Sequence, residues 1–147
     1  MKIIGVIPAR IGSTRLHEKV LAPIAGKPMV EHVWNRVKLA KKLDEVIVAC
    51  DDQRIIDCIQ QAGGKAVMTN PDHPNGSSRV AEIARNHSAE VFINIQGDEP
   101  TIRPESVDLL AETFRKEPSI QVATLAVRRS DSQDYENPNV VKAICDS

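Results

Sequence analysis

Between positions 10 and 19 the chain carries three cations, Arg10, Arg15 and Lys19, with Gly12, Ser13 and Thr14 among them. Arginine forks match phosphate oxygens two at a time, and a lysine adds a mobile point charge. The two hydroxyls and the backbone around Gly12 add donors. The set describes an anion site. It follows neither G-x-x-x-x-G-K-[ST] nor G-x-G-x-x-G, so neither a P-loop nor a dinucleotide fingerprint is signalled. The competing reading is a solvated loop whose cations face water. A second group, Gln96-Gly97-Asp98-Glu99-Pro100, offers carboxylates. One of them can hold Mg²⁺ through one or two oxygens while substrate phosphates fill the other positions. The bland alternative is a turn. Asp51-Asp52 is a rival metal site, but Asp52 is better explained as a helix cap. A third group, TNPDHPNGSS at 69–78, is stiffened by two prolines and ends at Arg79. It suits the wall of a base pocket. His73 could act as a base there, although a turn histidine explains it as well. His17, His32 and His87 are too scattered for a metal cluster.

These groups need elements to hold them. Residues 3–7 are an apolar run that reads as a buried strand, and 9–27 follows as a long loop of the kind that carries function. Pro28 suits a first helical turn. Val30, Val33, Trp34, Val37 and Ala40 then recur at helical spacing, predicting a helix to about Lys42. Residues 45–50 read as a strand and 65–68 as another. Between them lies a helix capped by Asp52, carrying Ile55, Ile56 and Ile59, and stopped at Gly63-Gly64. Ser77 or Ser78 is expected to cap a helix carrying Val80, Ile83 and Ala84. Residues 91–95 form a strand, and Pro104 starts a helix with Val107, Leu110, Ala111 and Phe114 on one face. Residues 120–127 and 140–145 look like further strands. Alternating strands and helices predict an α/β three-layer sandwich with a mostly parallel sheet. The three functional groups follow three strands, so they share one sheet edge and can converge.

Composition limits the classes of function. Nineteen Lys and Arg against twenty Asp and Glu give a net charge of -1, which argues against a general nucleic-acid or membrane-surface binder. Any basic site must be local. Aromatics at 3% are too few for a base-stacking platform. Cys50, Cys58 and Cys145 are odd in number and contain no C-x-x-C, so reduced thiols in a cytoplasmic protein are expected. No apolar run approaches a membrane span. The chain reads as one nucleotide-binding domain over 1–147, and its stop just after a strand-like run suggests the N-terminal portion of a longer enzyme.

In combination these segments resemble the 3-deoxy-manno-octulosonate cytidylyltransferase family, the CMP-Kdo synthetases. The matching stretches are IPAR-x-x-STRL with Lys19, AGKPM (25–29), VMTNPDHPNG with Arg79, INIQGDEP (93–100) and NPNVVKA (137–143). The resemblance implies a nucleotide-diphospho-sugar transferase (GT-A-like, Rossmann-like) fold. It implies CTP and Kdo as substrates, CMP-Kdo and pyrophosphate as products, Mg²⁺ dependence, a role in lipopolysaccharide synthesis and a homodimer. By the same resemblance, Arg10, Arg15 and Lys19 would hold the triphosphate, with Ser13 beside them, and Asp98 would bind Mg²⁺. The Pro8-Ala9 backbone and the 68–79 segment, ending at Arg79, would line the cytosine pocket, and Gln96 would approach the sugar acid. The family usually has an aromatic and alanine in place of Ile11 and Gly12, Pro-Gly in place of His17-Glu18, and Thr-Asp in place of Ser77-Ser78. Glu18 would thus put a carboxylate where phosphates approach. Two alternatives stand: a relative using another sugar acid or nucleotide, and a nucleotide-binding module without catalysis.

Overall fold

The computed structural model describes residues 1–12, 18–130 and 132–143. Its centre is β1 (Ile3–Ala9), whose side chains are buried on both faces. Strand β4 (Glu45–Cys50) pairs with one side of it and β6 (Val91–Asn94) with the other, while β5 (Lys65–Met68) lies outside β4. All three pairings are parallel. A run buried on both faces reads as continuously apolar, which is why residues 3–7 and 45–50 show no alternation in the sequence.

The pleat divides the core. Ile4, Val6, Ile47 and Ala49 face α3 (Gly76–Asn86), where Val80 and Ile83 meet them. Ile3, Ile7, Val48 and Cys50 face the other way. They pack against α1 (Met29–Val37), α2 (Gln53–Gln61) and α4 (Pro104–Lys116). Helices thus cover both faces, giving the expected three layers. Each fully buried Ile or Val contributes about 1.5–3 kcal/mol, so β1 alone anchors much of the sandwich. Asp52 caps α2 by accepting from the amide of Arg54, and Pro104 occupies the first turn of α4, both as expected.

Four local expectations are corrected. Helix α1 stops at Val37 instead of running to Lys42. Lys38 turns back to lie 4.2 Å over the Trp34 ring, and the amide of Lys42 is drawn to Asp108 on α4 at 2.7 Å. The cap of α3 is Asn75, whose side chain accepts from the amide of Ser78, so neither Ser77 nor Ser78 caps it. The stretch 9–27 contains a 3-10 turn, η1 (Lys19–Leu21), and a small hairpin of β2 (Pro23–Ile24) and β3 (Lys27–Pro28). Ala25 and Gly26 turn that hairpin with φ of 48° and 82°, the twist that suits a two-residue turn. Finally, 120–127 and 140–143 are not strands. Val122 is 87% exposed and Val141 96%, and neither stretch pairs with a strand among the described residues. β-propensity reports fit to a half-buried pleated surface, and here these residues have none to bury against. The rest of the expected 140–145 strand lies outside the described residues.

Candidate functional site

From β1 the chain moves outward to β4 and β5, then crosses back to β6 on the opposite side of β1. The strand order thus reverses at β1, and a crevice opens beyond the carboxyl ends of β1 and β6, the usual ligand position in such sheets. Gly97 lets the connection after β6 lie directly on the end of β1. A Cβ at this buried position would stand 2.6 Å from the carbonyl oxygen of Pro8. From the other side, a Cβ on Gly76 would come 3.1 Å from Cγ of Pro8, so α3 begins against the same proline.

A cavity of about 280 Å³ fills this crevice. The three sequence groups converge on it as anticipated. Pro8 and Arg10 come from β1 and its exit, Lys19 and Val20 from η1, His73 to Asn75 from the segment before α3, Gly76 from the start of α3, and Gln96 to Asp98 from the connection after β6. Val20 is buried in the core and fixes η1, which holds Lys19 at the rim. Lys19 Nζ donates to Asp98 Oδ2 at 2.7 Å, joining the first and third groups across the cavity. Their side chains are 31% and 44% exposed. An ion pair this wet holds on the order of 0.2–1 kcal/mol, so a ligand can exchange it.

Several expected residues lie elsewhere. Ala9 is 1% exposed and turned into the core, leaving only its backbone for a ligand. Ser13, Thr14, Arg15 and His17 lie outside the described residues. Glu18, expected to oppose phosphates, is drawn away from the cavity. It has a left-handed φ of 51°, and its carboxylate accepts from Arg54 of α2 at 2.7 Å. Arg79 lines the cavity but is 2% exposed. Its Nη1 donates to Thr69 Oγ1, and its Nη2 to Asp51 Oδ2 at 3.1 Å. His73 sits against Glu82 of α3, which also accepts from the amide of Asn70 at 3.0 Å. The hydrogen bond from His73, then that from Asn70, holds the Glu82 carboxyl below its usual range. This bracing stiffens the wall on the α3 side.

Asp51, raised in the sequence only as part of a rival metal site, instead bonds to the segment leaving β1 and to Arg79. Its role depends on register, with Ala9 opposite Cys50. That pairing sets Asp51 level with the residues leaving β1, where its Oδ1 accepts from the amide of Ile11 at 2.9 Å. No local motif announces such a contact.

Among the described residues, no group of three His, Cys, Asp or Glu forms a metal cage. Of the carboxylates, Asp98 alone reaches the cavity among the described residues. One carboxylate facing a cationic rim fits a divalent ion that takes its other oxygens from substrate and water. Cations, one carboxylate and a glycine-opened crevice at a switch point define an α/β protein whose site suits an anion beside a divalent ion.

The chain belongs to the cytidylyltransferase family, which it matches over residues 4–147. It is 45% identical over 147 residues to the 3-deoxy-manno-octulosonate cytidylyltransferase of Trichlorobacter lovleyi, covering 100% of this chain and 58% of that protein. The enzyme of the same name from Geobacter sulfurreducens is 44% identical over 146 residues, with 99% and 58% covered. The chain thus spans a little over half the length of these relatives. Among solved structures, CMP:2-keto-3-deoxy-manno-octonic acid synthetase complexed with CTP superposes with a TM-score of 0.79 at 45% identity, over 82% of this chain and 50% of that one. A cytidylyltransferase from Leptospira borgpetersenii, 23% identical with a TM-score of 0.72, shares the fold, over 81% of this chain and 51% of that one. No helix among the described residues is long and apolar enough to cross a membrane.

Proposed function

We propose that this crevice binds CTP and serves the transfer of CMP to 3-deoxy-manno-octulosonate, giving CMP-Kdo and pyrophosphate for lipopolysaccharide synthesis. The observation that carries the reading is the Lys19–Asp98 pair across the cavity at the switch point. It offers a cation for phosphate beside a carboxylate for Mg²⁺. Arg10 and Lys19, with Arg15 and Ser13 from the same segment, bind the triphosphate. The Pro8 backbone and the wall from His73 to Gly76 receive the base, and Gln96 approaches the sugar acid. Asp98 would hold Mg²⁺, which would supply charge to offset that on the transferring and leaving phosphates. The anomeric hydroxyl of Kdo attacks the α-phosphorus in line, its O–P bond forms as the bond to the β-phosphate oxygen breaks, and the hydroxyl proton is released. The chain's own residues orient the two substrates and neutralise charge, which is most of what such a transfer needs. A homodimer and a cytoplasmic setting belong to the same proposal. The free Cys50 and Cys58 are in keeping with the latter.

The test pairs binding with turnover. The protein is expected to bind CTP and to release pyrophosphate from CTP plus Kdo with Mg²⁺. Lys19→Ala is expected to weaken CTP binding about tenfold and CMP binding far less, because a lysine on the outer phosphates contributes a charged hydrogen bond. Equal losses by calorimetry would remove Lys19 from those phosphates. A second reading rests on Asp98 being the one carboxylate that lines the cavity among the described residues. On that reading the 147 residues bind CTP without turning it over, and retained binding with no pyrophosphate release would favour it.

A further inference from the structure

Arg79 and Asp51 form an ion pair in the wall of the site, with side chains 2% and 9% exposed. Burying a guanidinium this deeply is costly unless its donors are paired. Thr69 completes the set: its hydroxyl takes the bond from Arg79 and donates to the carbonyl of Cys50 at 2.8 Å. Asp51 meanwhile spends its other oxygen on the amide of Ile11. That amide belongs to the peptide joining Arg10 to Ile11, so Asp51 fixes the direction in which Arg10 leaves β1. One carboxylate therefore ties three things together: the end of β4, the start of the cationic segment and the first turns of α3.

We infer that Asp51 is a positioning residue. It aims Arg10 at the outer phosphates by holding the Arg10–Ile11 peptide, and it keeps the Arg79 charge in the wall rather than in the cavity. Arg10 and Lys19 then meet the phosphates, while Arg79 shapes the pocket without contacting them. The inference rests on the proposal that the crevice binds CTP.

The experiment is a binding cycle on the full chain, with CTP and CMP as probes in calorimetry. Asp51→Ala is expected to weaken CTP binding about tenfold, the scale of one charge-assisted hydrogen bond, and CMP binding by less than about threefold. In an Arg10→Ala background the same substitution should cost almost nothing toward CTP, because there is no longer a guanidinium to aim. Residues acting through one another give such non-additivity. Equal weakening of CTP and CMP, or an undiminished loss in the Arg10→Ala background, would overturn the inference and leave Asp51 a purely structural residue. Asp51→Asn keeps an acceptor for the Ile11 amide. If Asp51→Ala does not fold, Asp51→Asn runs the same cycle, with a smaller CTP-selective loss expected and the same overturning outcomes. A wild-type chain that binds no CTP would instead sink the functional proposal itself.

Discussion

Asp98→Asn is expected to remove the Mg²⁺-dependent part of CTP binding while leaving metal-free binding intact or slightly stronger. The sign follows from the site's charges. Asp98 pairs with Lys19 at 2.7 Å, and in the proposed complex its carboxylate would repel the triphosphate when no metal is present. Asparagine removes the repulsion and releases the lysine. In the proposed site the carboxylate would be the chain's ligand to Mg²⁺, and a neutral amide oxygen is a much poorer one. Turnover of CTP and Kdo should fall by about a hundredfold or more, since charge neutralisation at the transferring phosphate supplies several kcal/mol. Folding should barely register the change. The pair is exposed, and such pairs contribute about 0–1 kcal/mol. Calorimetry with and without Mg²⁺, beside a urea titration, separates these effects. An Asp98→Asn protein that keeps its Mg²⁺ enhancement would take Asp98 out of the metal site.

Gly97→Ala is expected to lower folding stability by about 1–3 kcal/mol, the usual cost of overpacking, and to abolish CTP binding. The added methyl would lie 2.6 Å from the Pro8 carbonyl oxygen. A Cβ is fixed in place by its own backbone and the Pro8 oxygen is backbone, so neither can swing aside. Relief requires the connection after β6 to lift off the end of β1, and that opens the floor of the cavity and draws Asp98 away from Lys19. Gly12→Ala is the control. A Cβ there meets nothing within 4 Å, so its stability should stay within about 0.5 kcal/mol of wild type. Urea midpoints measure both variants. A Gly97→Ala chain as stable as Gly12→Ala, with CTP binding intact, would show that the close approach does not shape the site.

The sequence carried the large pattern because burial writes it plainly. Strands buried on both faces appear as unbroken apolar runs, and α1, α2 and α4 appear as helical periodicity. Convergence of the three chemical groups followed from topology alone: in a parallel sheet their strands end at one edge. What stayed hidden depends on contacts distant in the chain. The choice of Asn75 over Ser77 as cap was settled by which residue adopts extended backbone just before the helix. The end of α1 was settled partly by Asp108, 66 positions from the amide it accepts. Glu18 looked like an obstacle to phosphate until Arg54, 36 positions on, drew it away. Asp51 needed the register of β1 against β4. Residues 120–127 misled in the opposite direction, because strand-forming residues predict a strand only where another strand receives them.

The central claim is that CTP occupies the crevice between the ends of β1 and β6. It is tested most directly by titrating CTP with Mg²⁺ into the isotopically labelled chain and following each backbone amide by NMR. The account predicts that the largest shifts fall on Arg10, Lys19, Gly76, Gly97 and Asp98, saturating together with a single affinity. Shifts gathered elsewhere, or none at these five positions at millimolar CTP, would contradict it.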